Sequence, residues 1–140
     1  MHKKLFIPLV FLLGGCALLK GHRSPYELLS GGWRPVEQIF AGNPFPAEFY
    51  ASQRLIMYDS SYTVYAETTD LGKIIATEDH MDIYGIEGPN AGKHFKATYS
   101  LSNDTLRICY DLSGVDYPAT FISTAENFYF LSTFVRDTGK

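Results

Sequence analysis

The sequence predicts an all-β fold of short antiparallel strands, arranged as an up-and-down barrel or a sandwich. Three observations point there. Apolar residues recur with a period of two, which places them on one face of a pleated strand. Clusters of Asp, Asn, Ser, Gly and Pro punctuate the chain at short intervals. The 140 residues include 10 Tyr, 10 Phe and one Trp, the side chains that pleated surfaces pack best. Apolar residues make up 46% and charged residues 19%, the balance of one folded domain and not of a disordered chain.

The clearest strands are Phe95–Leu101 and Leu106–Leu112. In the first, Phe95, Ala97, Tyr99 and Leu101 alternate with His94, Lys96, Thr98 and Ser100. In the second, Leu106, Ile108, Tyr110 and Leu112 alternate with Arg107, Cys109 and Asp111. Ser102, Asn103 and Asp104 between them form a hairpin turn by composition. Trp33–Phe40, Arg54–Tyr58, Tyr62–Glu67, Lys73–Thr77, His80–Ile86, Pro118–Ser123 and Phe128–Val135 complete a set of about nine strands. Phe45–Ser52 is the one segment suited to a helix, and Pro25–Leu29 to a helical turn.

Residues 1–16 read as an export signal. Lys3 and Lys4 give a positive start, Leu5–Leu13 is apolar, and Gly14-Gly15-Cys16 follow. The run is shorter than the roughly 20 residues that span a bilayer. Leu13-Gly14-Gly15-Cys16 resembles the lipobox of bacterial lipoproteins. That resemblance implies removal of residues 1–15, lipidation of Cys16, and a membrane anchor at the new N-terminus. Several acyl chains hold firmly where one binds marginally. Ala17, not Asp, follows Cys16, which in diderm bacteria resembles cargo sent to the outer membrane, facing the periplasm. Residues 16–28 then serve as a tether and 29–140 as the domain. With Cys16 lipidated, Cys109 has no intrachain partner and reads as a small buried hydrophobe.

Two distant features carry a second resemblance. Gly31-Gly32-Trp33 opens the first strand and Arg136 closes the last. A Gly-x-Trp paired with such an Arg resembles the calycin, or lipocalin, signature. Gly88-Pro89-Asn90-Ala91-Gly92-Lys93, Tyr99-Ser100-Leu101, Asp104–Cys109 and Pro118–Phe121 further resemble a family of bacterial lipocalin-like domains. The resemblance spans Leu29 to Arg136, is specific over Gly88–Phe121, and is not carried by Ala47–Asp82. It implies a lipocalin-like up-and-down antiparallel barrel of about eight strands with at most one short helix. It also implies that Trp33 plugs the closed end while the Arg136 guanidinium lies across the indole and binds carbonyls of the entering chain. It implies no activity.

Catalytic and metal motifs are not legible. Gly88–Lys93 has three residues between its glycines and His94 after the lysine, so it is a turn and not a phosphate loop. Glu78-Asp79-His80 with Asp82 gives too few ligands on one strand face for a metal without help from elsewhere, such as His94. There is no His-x-x-x-His, Cys-x-x-Cys or Gly-x-Ser-x-Gly. The reading is therefore a non-enzyme without a cofactor. The formal charge of −3 and the lack of a Lys/Arg cluster exclude a nucleic-acid partner.

Two functions stay open on the sequence. In one, the barrel binds a small lipophilic or aromatic ligand, with Phe95, Tyr99, Leu106, Ile108, Tyr110 and Phe121 lining its interior. In the other, the interior is filled and the barrel is a structural or protein-interaction module of the envelope. Gly42–Pro46 with Phe45, and Gly114–Pro118 with Tyr117, would then carry the surface. An enzyme or enzyme inhibitor has fold analogy alone behind it.

Overall fold

Strand alternation here closes a single sheet on itself. The computed structural model describes residues 23–139; the export signal and Cys16 lie outside that range. Helix α1 (Pro25–Leu29) precedes β1 (Gly31–Phe40). Then come β2 (Asn43–Pro44), a 3-10 turn η1 (Ala47–Phe49), β3 (Arg54–Tyr58), β4 (Ser61–Tyr65) and β5 (Thr69–Ala76). β6 (His80–Glu87), β7 (His94–Ser102), β8 (Thr105–Asp111) and β9 (Phe130–Arg136) follow. From β3 to β9 each strand pairs antiparallel with the next, and β1 pairs with both β3 and β9. β2 only folds back on the end of β1, so the closed barrel has eight strands. Closure removes the free edges that would otherwise recruit other chains.

The connections follow from local chemistry. Ser102 pairs with Thr105 around Asn103, whose φ of 55° lies in the left-handed region that Asn tolerates. A bulge between Pro35 and Glu37 shifts the phase of β1. Trp33 and Pro35 face inward before it, Gln38 and Phe40 after it.

One end of the barrel is corked. Trp33 is completely buried and donates its indole N–H to the Leu29 carbonyl at 2.9 Å. Helix α1 tucks beneath it, with Leu29 completely buried and the Tyr26 hydroxyl accepting from the Ala76 N–H. The Arg136 guanidinium lies 4.2 Å from the indole centre. Its Nη1 donates to the Ser30 carbonyl at 2.7 Å and its Nη2 to the Leu28 carbonyl at 2.9 Å. These carbonyls sit at the end of α1, where helical partners run out and a cation is favoured. Gly31 permits this approach: its φ is 123°, and an added Cβ would sit 3.0 Å from Arg136 Nη1.

The expected strand at Pro118–Ser123 does not form. β9 already pairs on both sides, so the sheet offers no edge, and Pro118 has no N–H to give. Residues 112–129 instead lie against the outside of β7, β8 and β9. The Thr98 hydroxyl donates to the Pro118 carbonyl, and both Pro118 and the outward-facing Cys109 opposite Thr98 are fully buried. Phe121 follows this segment out of the interior, with the Arg107 guanidinium 5.0 Å from its ring. The helix expected at Phe45–Ser52 is reduced to the single 3-10 turn η1, with Pro46 at its N-cap.

Trp33→Ala is expected to lower unfolding free energy by roughly 3–5 kcal/mol, as large core truncations do. Urea denaturation followed by circular dichroism measures it. An unfolding midpoint close to that of the parent would show that the indole is not the cork.

Candidate binding cavity

The corked half of the barrel is solid. Trp33, Ala97, Tyr99, Leu106 and Ile108 are buried together in its core. Tyr99 donates its hydroxyl to the Thr77 carbonyl, and burial pushes the phenol up to about 12. The other half is hollow. A cavity of about 690 Å³ opens at the end away from Trp33, within the roughly 300–1,000 Å³ of small-molecule sites. Met57, Ile74, Met81, Ile83 and Phe134 form its deep wall, and Val64, Phe95 and Tyr110 its upper wall.

The mouth is aromatic. Phe49, 68% exposed, stands 5.9 Å from Phe45. Phe45 stands 6.3 Å from Phe130, and Phe130 5.6 Å from Tyr110. These rings form a tilted file from solvent into the cavity, a geometry aromatic pairs favour. Phe45 thus leans over the barrel mouth against Phe130.

Three buried polar side chains interrupt the apolar walls: Gln38, Asp70 and Ser132. Gln38 donates to Gln53 Oε1 at 2.9 Å. Asp70 accepts from the Tyr62 hydroxyl at 3.1 Å and from the backbone and side-chain N–H groups of Asn90, each at 3.0 Å. Burial and then the adjacent carboxylate raise the Tyr62 phenol. The carboxylate ties the β6–β7 turn Gly88–Lys93 to the barrel wall. At Gly88 an added Cβ would meet the Thr69 carbonyl at 2.3 Å, so only glycine lets the turn close on β5. Ser132 is completely buried, and among the described residues its hydroxyl has no hydrogen-bond partner.

Of the residues expected to line the interior, Phe95 and Tyr110 line the cavity. Tyr99, Leu106 and Ile108 are packed beneath it in the solid half. Phe121 is outside the barrel, on the segment that failed to become a strand. Sequence reasoning missed Gln38 and Ser132. The Phe130-Ser132-Phe134 alternation already placed Ser132 on an inward face. The bulge in β1 hid Gln38, because no period-two reading carries a residue across a phase shift.

A second polar cluster lies outside the barrel. His94 Nε2 is 2.7 Å from Asp82 Oδ1, Lys96 Nζ is 3.7 Å from the same oxygen, and Tyr117 donates its hydroxyl to Asp82 Oδ2. Tyr117 stacks on His80 with centroids 4.4 Å apart, and Tyr84 stacks on His94 at the same distance. Among the described residues no three His, Cys, Asp or Glu side chains converge as a metal set. The cluster clamps the segment after β8 to the outside of β6 and β7. Tyr117 is thereby committed to the clamp and is not a free recognition group.

Burial works to raise the Asp82 carboxyl, but hydrogen bonds from Tyr117 and His94 and the Lys96 charge outweigh it and hold the group below its ordinary 3.8. A carboxylate depressed in the folded state stabilises fully above its unfolded pKa and loses that contribution as pH falls through the folded value. The Asp82 clamp is therefore expected to be intact at neutral pH and to weaken only below about pH 4. In thermal melts of Asp82→Asn the advantage of the parent should be present at neutral pH and shrink in acid. A difference that grows on acidification would contradict the assignment.

No protein-family model, curated protein or solved structure matches this chain.

Proposed function

We propose that this protein is a lipid-anchored envelope lipoprotein whose lipocalin-like barrel binds a small lipophilic or aromatic molecule without acting on it chemically. The observation that carries the reading is the apolar cavity of about 690 Å³, corked at one end and open at an aromatic mouth. A solid interior would have favoured the structural alternative. Burial of a chain of about ten methylenes, at about 0.8 kcal/mol each, supplies about 8 kcal/mol before the cost of immobilisation. Binding of this kind is selective by shape and modest in affinity. The anchor in this proposal is the lipid on Cys16; among the described residues no helix is long and apolar enough to cross a membrane.

The geometry supports this arrangement. The chain enters the barrel through α1 at the corked end, so a tether from Cys16 attaches opposite the mouth. Ala17 beside the lipidation site supports placement in the outer membrane, facing the periplasm, in a cell with two membranes.

Two experiments test this function. Native mass spectrometry of the full protein purified from its own host is expected to show an adduct of a few hundred daltons that is lost on denaturation. A barrel that emerges empty and takes up no apolar probe would overturn the binding reading. Separately, Cys16→Ser is expected to abolish incorporation of labelled palmitate and to shift the protein from the detergent to the aqueous phase. Unchanged partitioning would overturn the anchor while leaving the barrel reading intact.

A further inference from the structure

The cavity has a polarity that its volume does not reveal. Its apolar depth contains a hydroxyl, that of Ser132, with no partner among the described residues. A buried hydroxyl left unpaired is costly, so such groups are rare unless something outside the chain satisfies them. Tyr110 stands one register step away: Ser132 pairs with Ile108 and Phe130 with Tyr110 on β8. No hydrogen bond within the described residues occupies the Tyr110 hydroxyl, and its phenol is held neutral by burial. On the other side of Ser132, across β1, is Gln38.

The charges around the cavity are equally informative. Asp70 is a buried carboxylate in its wall. Arg54 also lines the cavity, but its Nε pairs with Asp137 at 2.9 Å and its Nη1 donates to the carbonyls of Ala51 and Gln53. Lys93 is at the exposed rim. Below the rim the cavity is therefore lined by no cation free to neutralise an acid, and its wall carries the Asp70 carboxylate. An ionised carboxylate brought there would be buried unpaired, which is expensive.

Resting on the binding function above, we propose that the ligand is a neutral amphiphile that enters polar end first. Its hydroxyl or carbonyl meets Ser132 and Tyr110 in the barrel, and its apolar body fills the space up to the Phe45–Phe130 mouth. Free fatty acids and other anions are selected against. Both Ser132 and Tyr110 can donate or accept, so the site takes an alcohol or a carbonyl compound alike.

The test uses the full chain and three probes of one length: decanol, decanoate and decane, each competing with the fluorophore N-phenylnaphthylamine near neutral pH. Decanol is expected to displace the fluorophore at concentrations roughly tenfold or more below those needed for decanoate. Ser132→Ala is expected to weaken decanol about three- to tenfold, leave decane unchanged, and melt no lower than the parent because an unpaired hydroxyl has been removed. Tyr110→Phe, which keeps the ring, should weaken decanol similarly. Decanoate binding as tightly as decanol, and weakened by Lys93→Ala, would overturn the proposal in favour of an anionic head held at the rim. Equal decanol affinity in parent and both variants would also overturn it. Failure of the fluorophore itself to bind would instead count against the binding function.

Discussion

The pairing of β9 with β1 is the constraint from which the other features follow. It joins the last strand to the first, so every element between must fit a closed circumference. At its lower end the same pairing brings Arg136 opposite Trp33. The guanidinium covers the indole and also satisfies carbonyls at the end of α1, so one cation serves strand closure, cork and chain entry together. An arginine suits this position where a lysine would not. Its planar group can stack on the ring while its N–H groups reach two separate carbonyls.

Closure also explains what lies outside. With no edge to join, residues 112–129 had to cover the barrel from without, and two carboxylates hold them there. Asp82 grips Tyr117, while Asp111 accepts from the Ser113 side chain and backbone and from the Asp116 N–H. Burial would raise the Asp111 carboxyl, but these bonds keep it below the usual range. Cys109, on the outer face of β8, is sealed by this cover, and burial pushes its thiol up to about 11. The thiol is thus a packing group and not a nucleophile.

The solid half was easier to read from sequence than the hollow half. Strict alternation in Phe95–Leu101 and Leu106–Leu112 fixed their inward faces, and Asn103 between them marked the turn. Gly31, Trp33 and Arg136 were legible as a set only through their resemblance to the calycin signature. Alternation reports only the side of the sheet, not the depth along the barrel axis. It therefore assigned Tyr99, Leu106 and Ile108 to the interior together with Phe95 and Tyr110, though only the latter two reach the cavity. Phe121 was misplaced because its apolar neighbours serve an outer surface, and local pattern does not distinguish an inner from an outer core. Gln38 was invisible behind a bulge. The emptiness itself is a three-dimensional property: Met57, Ile74 and Met81 read as ordinary core residues, and only their spacing across the barrel leaves room.

The cylinder is sealed and packed at the indole and empty toward the phenylalanines. Selective labelling of methyl groups addresses both halves in one spectrum. Met57 and Met81 face the cavity, while Leu29, Leu106 and Ile108 belong to the packed end. On titration with N-phenylnaphthylamine, saturable shifts are expected at the two methionine methyls and none at the packed-end methyls. Shifts spread evenly over both groups, or silence at Met57 and Met81 while the fluorophore binds, would contradict it.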